Sequence, residues 1–141
     1  MPDCPTPPRP LADVQQAFEF LLSGFDKSDG QAVDQRWLWL EAAHVMGQTD
    51  SALHWRAHAR MLGFAWQLHN WPEVAGQILR IALVPLGHLL RRLPLGNSGR
   101  SDVSAFRPMK VAKPVANLIA AANEQQAHKD LGKRHGESSP L

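Results

Sequence analysis

The chain reads as an all-α protein, a compact bundle of about four main helices, on three observations. Apolar residues from Leu11 to Ala82 recur three and four apart rather than alternately. Turn-forming runs at residues 24–30, 47–51 and 69–72 divide that stretch into helix-length pieces. No segment carries the alternating pattern of a half-buried strand.

Five prolines within residues 1–10 predict an extended, disordered arm. A single helical domain is expected over residues 11–123. Its first helix, residues 11–22, places Leu11, Val14, Phe18, Leu21 and Leu22 on one face, and the run GFDKSDG supplies the stop. The second, about residues 32–46, carries Trp37, Leu40, Glu41 and His44 along one stripe. Gly47-Gln48-Thr49-Asp50-Ser51 is a short turn, with Asp50 or Ser51 placed to accept the free amide hydrogens of a third helix over residues 52–68. That helix aligns His54, His58, Met61, Leu62 and Ala65. Asn70-Trp71-Pro72-Glu73 opens a fourth, with proline in the first turn and a carboxylate at the positive helix end. Val74, Ile78, Ile81 and Ala82 form its apolar stripe, and Pro85, lacking an amide hydrogen, predicts a kink or break at residues 82–85 before the helix resumes to Arg92. A long loop follows to about Lys113, then a short helix from Pro114 to about Asn123. Residues 124–141 show no apolar period and are expected to form a disordered polar tail. The spacing of the α-hairpins suggests tetratricopeptide-like units, although the chain holds only about two and such repeats usually need three or more.

At 141 residues the chain can bury a real core without disulfide or metal, so a metal would be functional rather than structural. The one cysteine, Cys4, lies in the arm and suits a reducing compartment, here read as the cytoplasm. No apolar run reaches the roughly 18 residues of a membrane span, and the N-terminus lacks the blocks of a signal peptide. The net charge of +2 is unevenly spread, with seven Lys/Arg against Asp102 alone in residues 80–113. Without stacking aromatics or a recognition motif this basic stretch argues against nucleic acid and equally suits a protein partner or plain solvated surface.

The most informative side chains are Glu41 and His44, three apart on the second helix, and His54 and His58, four apart on the third. Such spacings share a helix face, and in an antiparallel hairpin level positions have a constant sum of residue numbers, which 44 with 54 and 41 with 58 nearly satisfy. Packed helices lie roughly 8–10 Å apart, so all four side chains can meet between them. A carboxylate with three neutral imidazoles suits a transition metal: zinc first, iron or copper after it. A di-iron site would need a second Glu-x-x-His and more carboxylates, which are absent from the pattern. Because imidazoles must be unprotonated to coordinate, affinity should fall below about pH 6. The same four residues could instead form a hydrogen-bonded cluster that pins the hairpin's register without metal.

The runs LEAAHVMGQ (40–48), HWRAHARML (54–62), GQILRIALVPLG (76–87), LPLGNSG (93–99) and VSAFRPM (103–109) resemble the bacterial family known as domain of unknown function 3703. The resemblance spans about residues 35–112. It implies a shared fold and shared polar positions, with the family's Glu-x-x-His and His-x-x-x-His elements falling on Glu41, His44, His54 and His58, but implies no activity. The chain departs from the family's pattern in its N-terminal arm and in VAKPVANL, where relatives more typically show Pro-Ile-Pro.

Elsewhere the signals are weaker. Met61 could turn its sulfur toward the site but is more often a core filler. His69, His88, His128 and His135 stand alone in the pattern and are set aside as surface or capping residues. Trp37 and Trp66 are assigned to the core, while Trp39 and Trp55 either pack on neighbouring helices or face a partner. Gly96-Asn97-Ser98-Gly99-Arg100 is read as a structural turn, with anion binding through its amides a minor option. No nucleophile with a neighbouring base is recognisable, so the sequence names no reaction. Three functions remain open: binding of one divalent transition metal between helices two and three, for metal handling or sensing; a metal-free interaction module using a tryptophan-bearing or basic surface toward a protein partner or a second copy; or a metal-dependent enzyme, which would need an open coordination position beside a pocket.

Overall fold

The computed structural model describes residues 10–136, which hold five α-helices and no strand. They are α1 (Leu11–Asp26), α2 (Val33–Gly47), α3 (Ser51–Gln67), α4 (Trp71–Leu89) and α5 (Lys113–Gly136). α1, α2, α3 and α4 pack in succession, and α5 returns against α1 and α2. No helix among the described residues is long and apolar enough to cross a membrane. The expected arm lies outside the described residues except for Pro10.

The central core lies where α1, α2 and α3 meet. Phe18, Leu21, Leu40, Met61 and Phe64 are fully or almost fully buried there. The rings of Phe25 and Trp37 meet Phe64 at 5.1 and 4.8 Å between centroids, and the Arg36 guanidinium covers Phe25 and Phe64 from outside. Burying each large side chain contributes about 1.5–3 kcal/mol. Met61 is thus a core residue.

Several boundaries differ from the sequence reading, each for a local reason. α1 continues through Gly24 to Asp26. A methyl group at Gly24 would stand 2.3 Å from the Trp39 ring, so this glycine lets α1 and α2 approach instead of ending the helix. Trp39 accordingly packs on helix one. α3 begins where expected, with the Asp50 carboxylate accepting from the Leu53 amide at 2.9 Å.

α4 runs unbroken through Pro85 and ends at Leu89, not Arg92. Its helical course survives because one lost hydrogen bond is a local cost. Its inward face also differs from the apolar stripe: Glu73, Val74, Gln77, Arg80 and Val84 are buried, whereas Ile78 is 55% exposed. α5 is not a short helix but extends to Gly136 across most of the expected tail. Its later turns are rich in good helix formers, Ala122 and Gln126 are buried, and Gln126 donates to Asp130 one turn on. Trp66, assigned to the core, is 60% exposed and meets the equally outward Trp71 edge to face at 5.2 Å.

Candidate metal centre

α2 ends and α3 begins around the turn at residues 48–50, which sets His44 on the last turn of one helix level with His54 on the first turn of the next. His58 follows one turn along α3. All three imidazoles are buried, and each offers a nitrogen so that the three lie within 4.8 Å of one another. The ring centroids are 4.6–5.0 Å apart.

The outer nitrogens settle what the inner ones can do. His44 Nδ1 is 3.0 Å from the carbonyl of Asn97, which can only accept, so this nitrogen carries hydrogen and donates. Gln77 Nε2 donates to a Glu73 carboxylate oxygen at 2.7 Å and to the Gly99 carbonyl at 2.9 Å, which fixes the amide's orientation. Gln77 Oε1 therefore accepts from His58 Nδ1 at 2.8 Å. His54 Nδ1 lies 3.1 Å from His88 Nε2. Each Nδ1 is engaged from outside, which leaves the Nε2 atoms of His44 and His58 as lone-pair donors turned inward.

Between His44 Nε2 and His54 Nε2 the distance is 3.0 Å. Nitrogens bound to one tetrahedral zinc at 2.0–2.1 Å stand about 3.3 Å apart, so this spacing is near that of a loaded site. A single proton, with His54 as donor, can bridge the pair in the absence of metal. Burial keeps all the rings neutral: it depresses the His54 pKa to about 3, with His58 and His88 adding to the effect, and holds His44 well below its ordinary value. Burial also brings His58 down to about 4, although the hydrogen bond to Gln77 opposes it. Protons thus compete for these nitrogens only well below the pH 6 that free imidazoles suggest.

Glu41 falls outside this group. Its carboxylate faces Arg100 at 3.6 Å, and Arg100 lies flat on Trp37, 3.8 Å from the ring centroid. Although level with His58 by residue number, Glu41 is drawn to a loop guanidinium that helix spacing could not reveal. Burial raises its pKa to about 7 against the opposing pull of Arg100.

The residues that support the cluster come largely from α4 and the following loop. Glu73, Gln77, Arg80, Val84 and His88 repeat every three or four residues and form one stripe of α4. That periodic polar stripe is the sequence signal for Gln77 and His88; His88 stays outside the three-imidazole group, as expected, but is half-buried against His54 rather than isolated on the surface. Burial would raise the Glu73 pKa, but hydrogen bonds from Ser101 and Gln77 and the charge of Arg100 outweigh it and keep Glu73 ionised. Glu73 thus anchors the loop and, through Gln77, orients His58.

The loop earns its place through two glycines and Asn97. Gly99 adopts φ +82°, and a side chain there would meet the His44 ring at 2.9 Å. At Gly76 a methyl group would stand 2.3 Å from Ser101 Cβ. Asn97 is buried, with Nδ2 donating to the carbonyls of Ser104 and Arg107 and Oδ1 accepting from Gly99. The run expected to be a turn is therefore the lid of the histidine cluster. Two cations of the basic stretch are withdrawn from its surface, Arg80 by burial and Arg100 by Trp37 and two carboxylates, while Arg91, Arg92, Arg107, Lys110 and Lys113 stay exposed.

A cavity of about 230 Å³ opens beside the cluster, bounded by all three histidines, Arg80 and mainly apolar side chains of α4 and the loop.

No curated protein and no solved structure matches the chain, so a tetratricopeptide-like arrangement gains no support from either. A family model does match, over residues 12–119, a span that takes in both histidine-bearing helices, the α4 stripe and the lid. The chain therefore belongs to the family described as protein of unknown function, DUF3703.

Proposed function

We propose that the protein binds one divalent transition metal through His44, His54 and His58 and serves in metal handling or sensing. The supporting observation is the outward engagement of every Nδ1 beside a convergence of inner nitrogens. A purely structural cluster has no need to turn two lone pairs toward the same point. Zinc suits three neutral imidazoles best. Iron sites of this kind more often include a carboxylate, and copper(I) prefers sulfur, whereas Glu41 and Met61 are both engaged elsewhere. A single cysteine and the family resemblance suit a bacterial cytoplasm.

Untagged protein purified without chelator and analysed for metals tests this reading. About one equivalent is expected in the wild type and almost none in a His54→Ala/His58→Ala variant. Equal, substoichiometric metal in both would reject the site.

The second reading, a protein-interaction module, has its own support in exposed Trp55, Trp66, Trp71, Ile78, Leu79 and Leu89. It predicts capture of a partner or a second copy that is indifferent to metal and lost on changing Trp55 or Trp71.

A further inference from the structure

The cavity beside the histidines is built for an organic guest rather than for water alone. Leu83, Val84, Leu90, Leu93, Pro94 and Phe106 supply its walls, while the three imidazoles and Arg80 supply its polar end. An apolar cavity of about 150 Å³ accepts benzene, so about 230 Å³ has room for a ring of that size and one further polar group.

Charge selects the nature of that group. Three neutral imidazoles would leave the full double charge of a metal uncompensated by its protein ligands. Arg80, only 6% exposed, adds another positive charge. It donates to the carbonyls of Arg100 and Val103, its Nε has no partner, and no carboxylate among the described residues lies within ion-pair distance of it. Glu73, the buried acid nearby, is occupied by Ser101, Gln77 and Arg100. A loaded site therefore lacks an anion at the apolar cavity's polar end.

We propose that the cavity binds a small apolar carboxylate about the size of benzoate, with its carboxylate on the open side of the three-histidine metal site beside Arg80 and its body among the leucines and Phe106. This rests on the metal reading above. The carboxylate neutralises the site, and the apolar body replaces water in the pocket.

Full-length protein loaded with cobalt(II), whose visible bands report its ligands, is titrated with benzoate and with neutral benzyl alcohol. Benzoate should shift the bands saturably, at least about tenfold more tightly than the alcohol. Gly87→Leu should keep the cobalt bands and weaken benzoate by at least about tenfold, because the new side chain enters the cavity from a position with only ordinary contacts around it. Phe106→Glu, at a wall residue 76% exposed, should weaken benzoate without disturbing a helix. It serves as the arbiter if Gly87→Leu fails to fold. Cobalt bands that ignore benzoate, or that respond equally in wild type and Phe106→Glu, overturn the carboxylate site and leave the metal reading intact. Absence of cobalt bands in the wild type removes the metal reading, and the carboxylate site with it.

Discussion

α3 is held by two seams of opposite character. Toward α1 and α2 it presents Ala57, Met61 and Phe64 to Phe18, Leu21 and Leu40, a dry contact in which no atom needs a particular partner. Toward α4 and the loop it presents His54 and His58 to His88, Gln77 and, through Gln77, Glu73. Apolar burial is non-directional and survives small changes of shape, whereas each buried donor or acceptor has one suitable neighbour and is costly to strand. The first seam supplies stability. The second spends some of it on a specific arrangement.

The contrast is open to direct attack. Phe64→Ala, in the dry seam, should cost about 3–5 kcal/mol in urea unfolding, with the remaining folded protein still binding its full equivalent of metal. A loss of metal stoichiometry in that folded fraction would show that the two seams are not separable. Gln77→Leu should cost less in stability, about 1–3 kcal/mol for the stranded His58 donor and Gly99 carbonyl, while lowering metal affinity about 10–100-fold. Unaltered affinity, measured against a competing chelator, would reduce Gln77 to a packing residue.

Acid should act chiefly through the polar seam. His54 is held near 3 and His58 near 4, against 6.5 for the free side chain. Between those values the unfolded chain takes up protons that the folded one refuses, so the metal-free protein should lose stability as pH falls from about 6.5 toward 4. Glu41 has the opposite sign: with a folded pKa of about 7 against 4.5, it favours the folded state below 4.5 and loses that contribution as pH rises through 7. Three histidines outweigh one glutamate, so the net course is downward in acid, as denaturation midpoints at several pH values would show. A flat profile between pH 4 and 6.5 would contradict the burial argument. The smallest effect on the metal belongs to Glu41→Gln, which is expected to raise stability at pH 8 by removing a carboxylate that burial disfavours when ionised, and to leave metal stoichiometry unaltered. A clear loss of metal would restore Glu41 as a ligand.

The candidate site was half legible in the sequence. His44, His54 and His58 could be found because i, i+4 spacing and a short capped turn both obey local geometry, which the chain itself encodes. Glu41 obeyed the same spacing and still went elsewhere, because its partner Arg100 arrives on a loop 59 positions later. His88 and Gln77 escaped notice for a related reason: α4 was read by its apolar residues, yet its buried stripe is largely polar and becomes affordable only once the histidines and the loop satisfy it.

What the amino-acid order determined by itself was the four main helices, the α2–α3 turn and the facing of three histidines, all products of neighbours within a few residues. Tertiary structure alone decided which face of α4 turns inward, that Gly24 continues a helix instead of ending it, and that residues 97–101 close over the imidazoles. Those outcomes depend on contacts between segments far apart in the chain, where a hydrogen bond or a missing side chain gains meaning only from what packs against it.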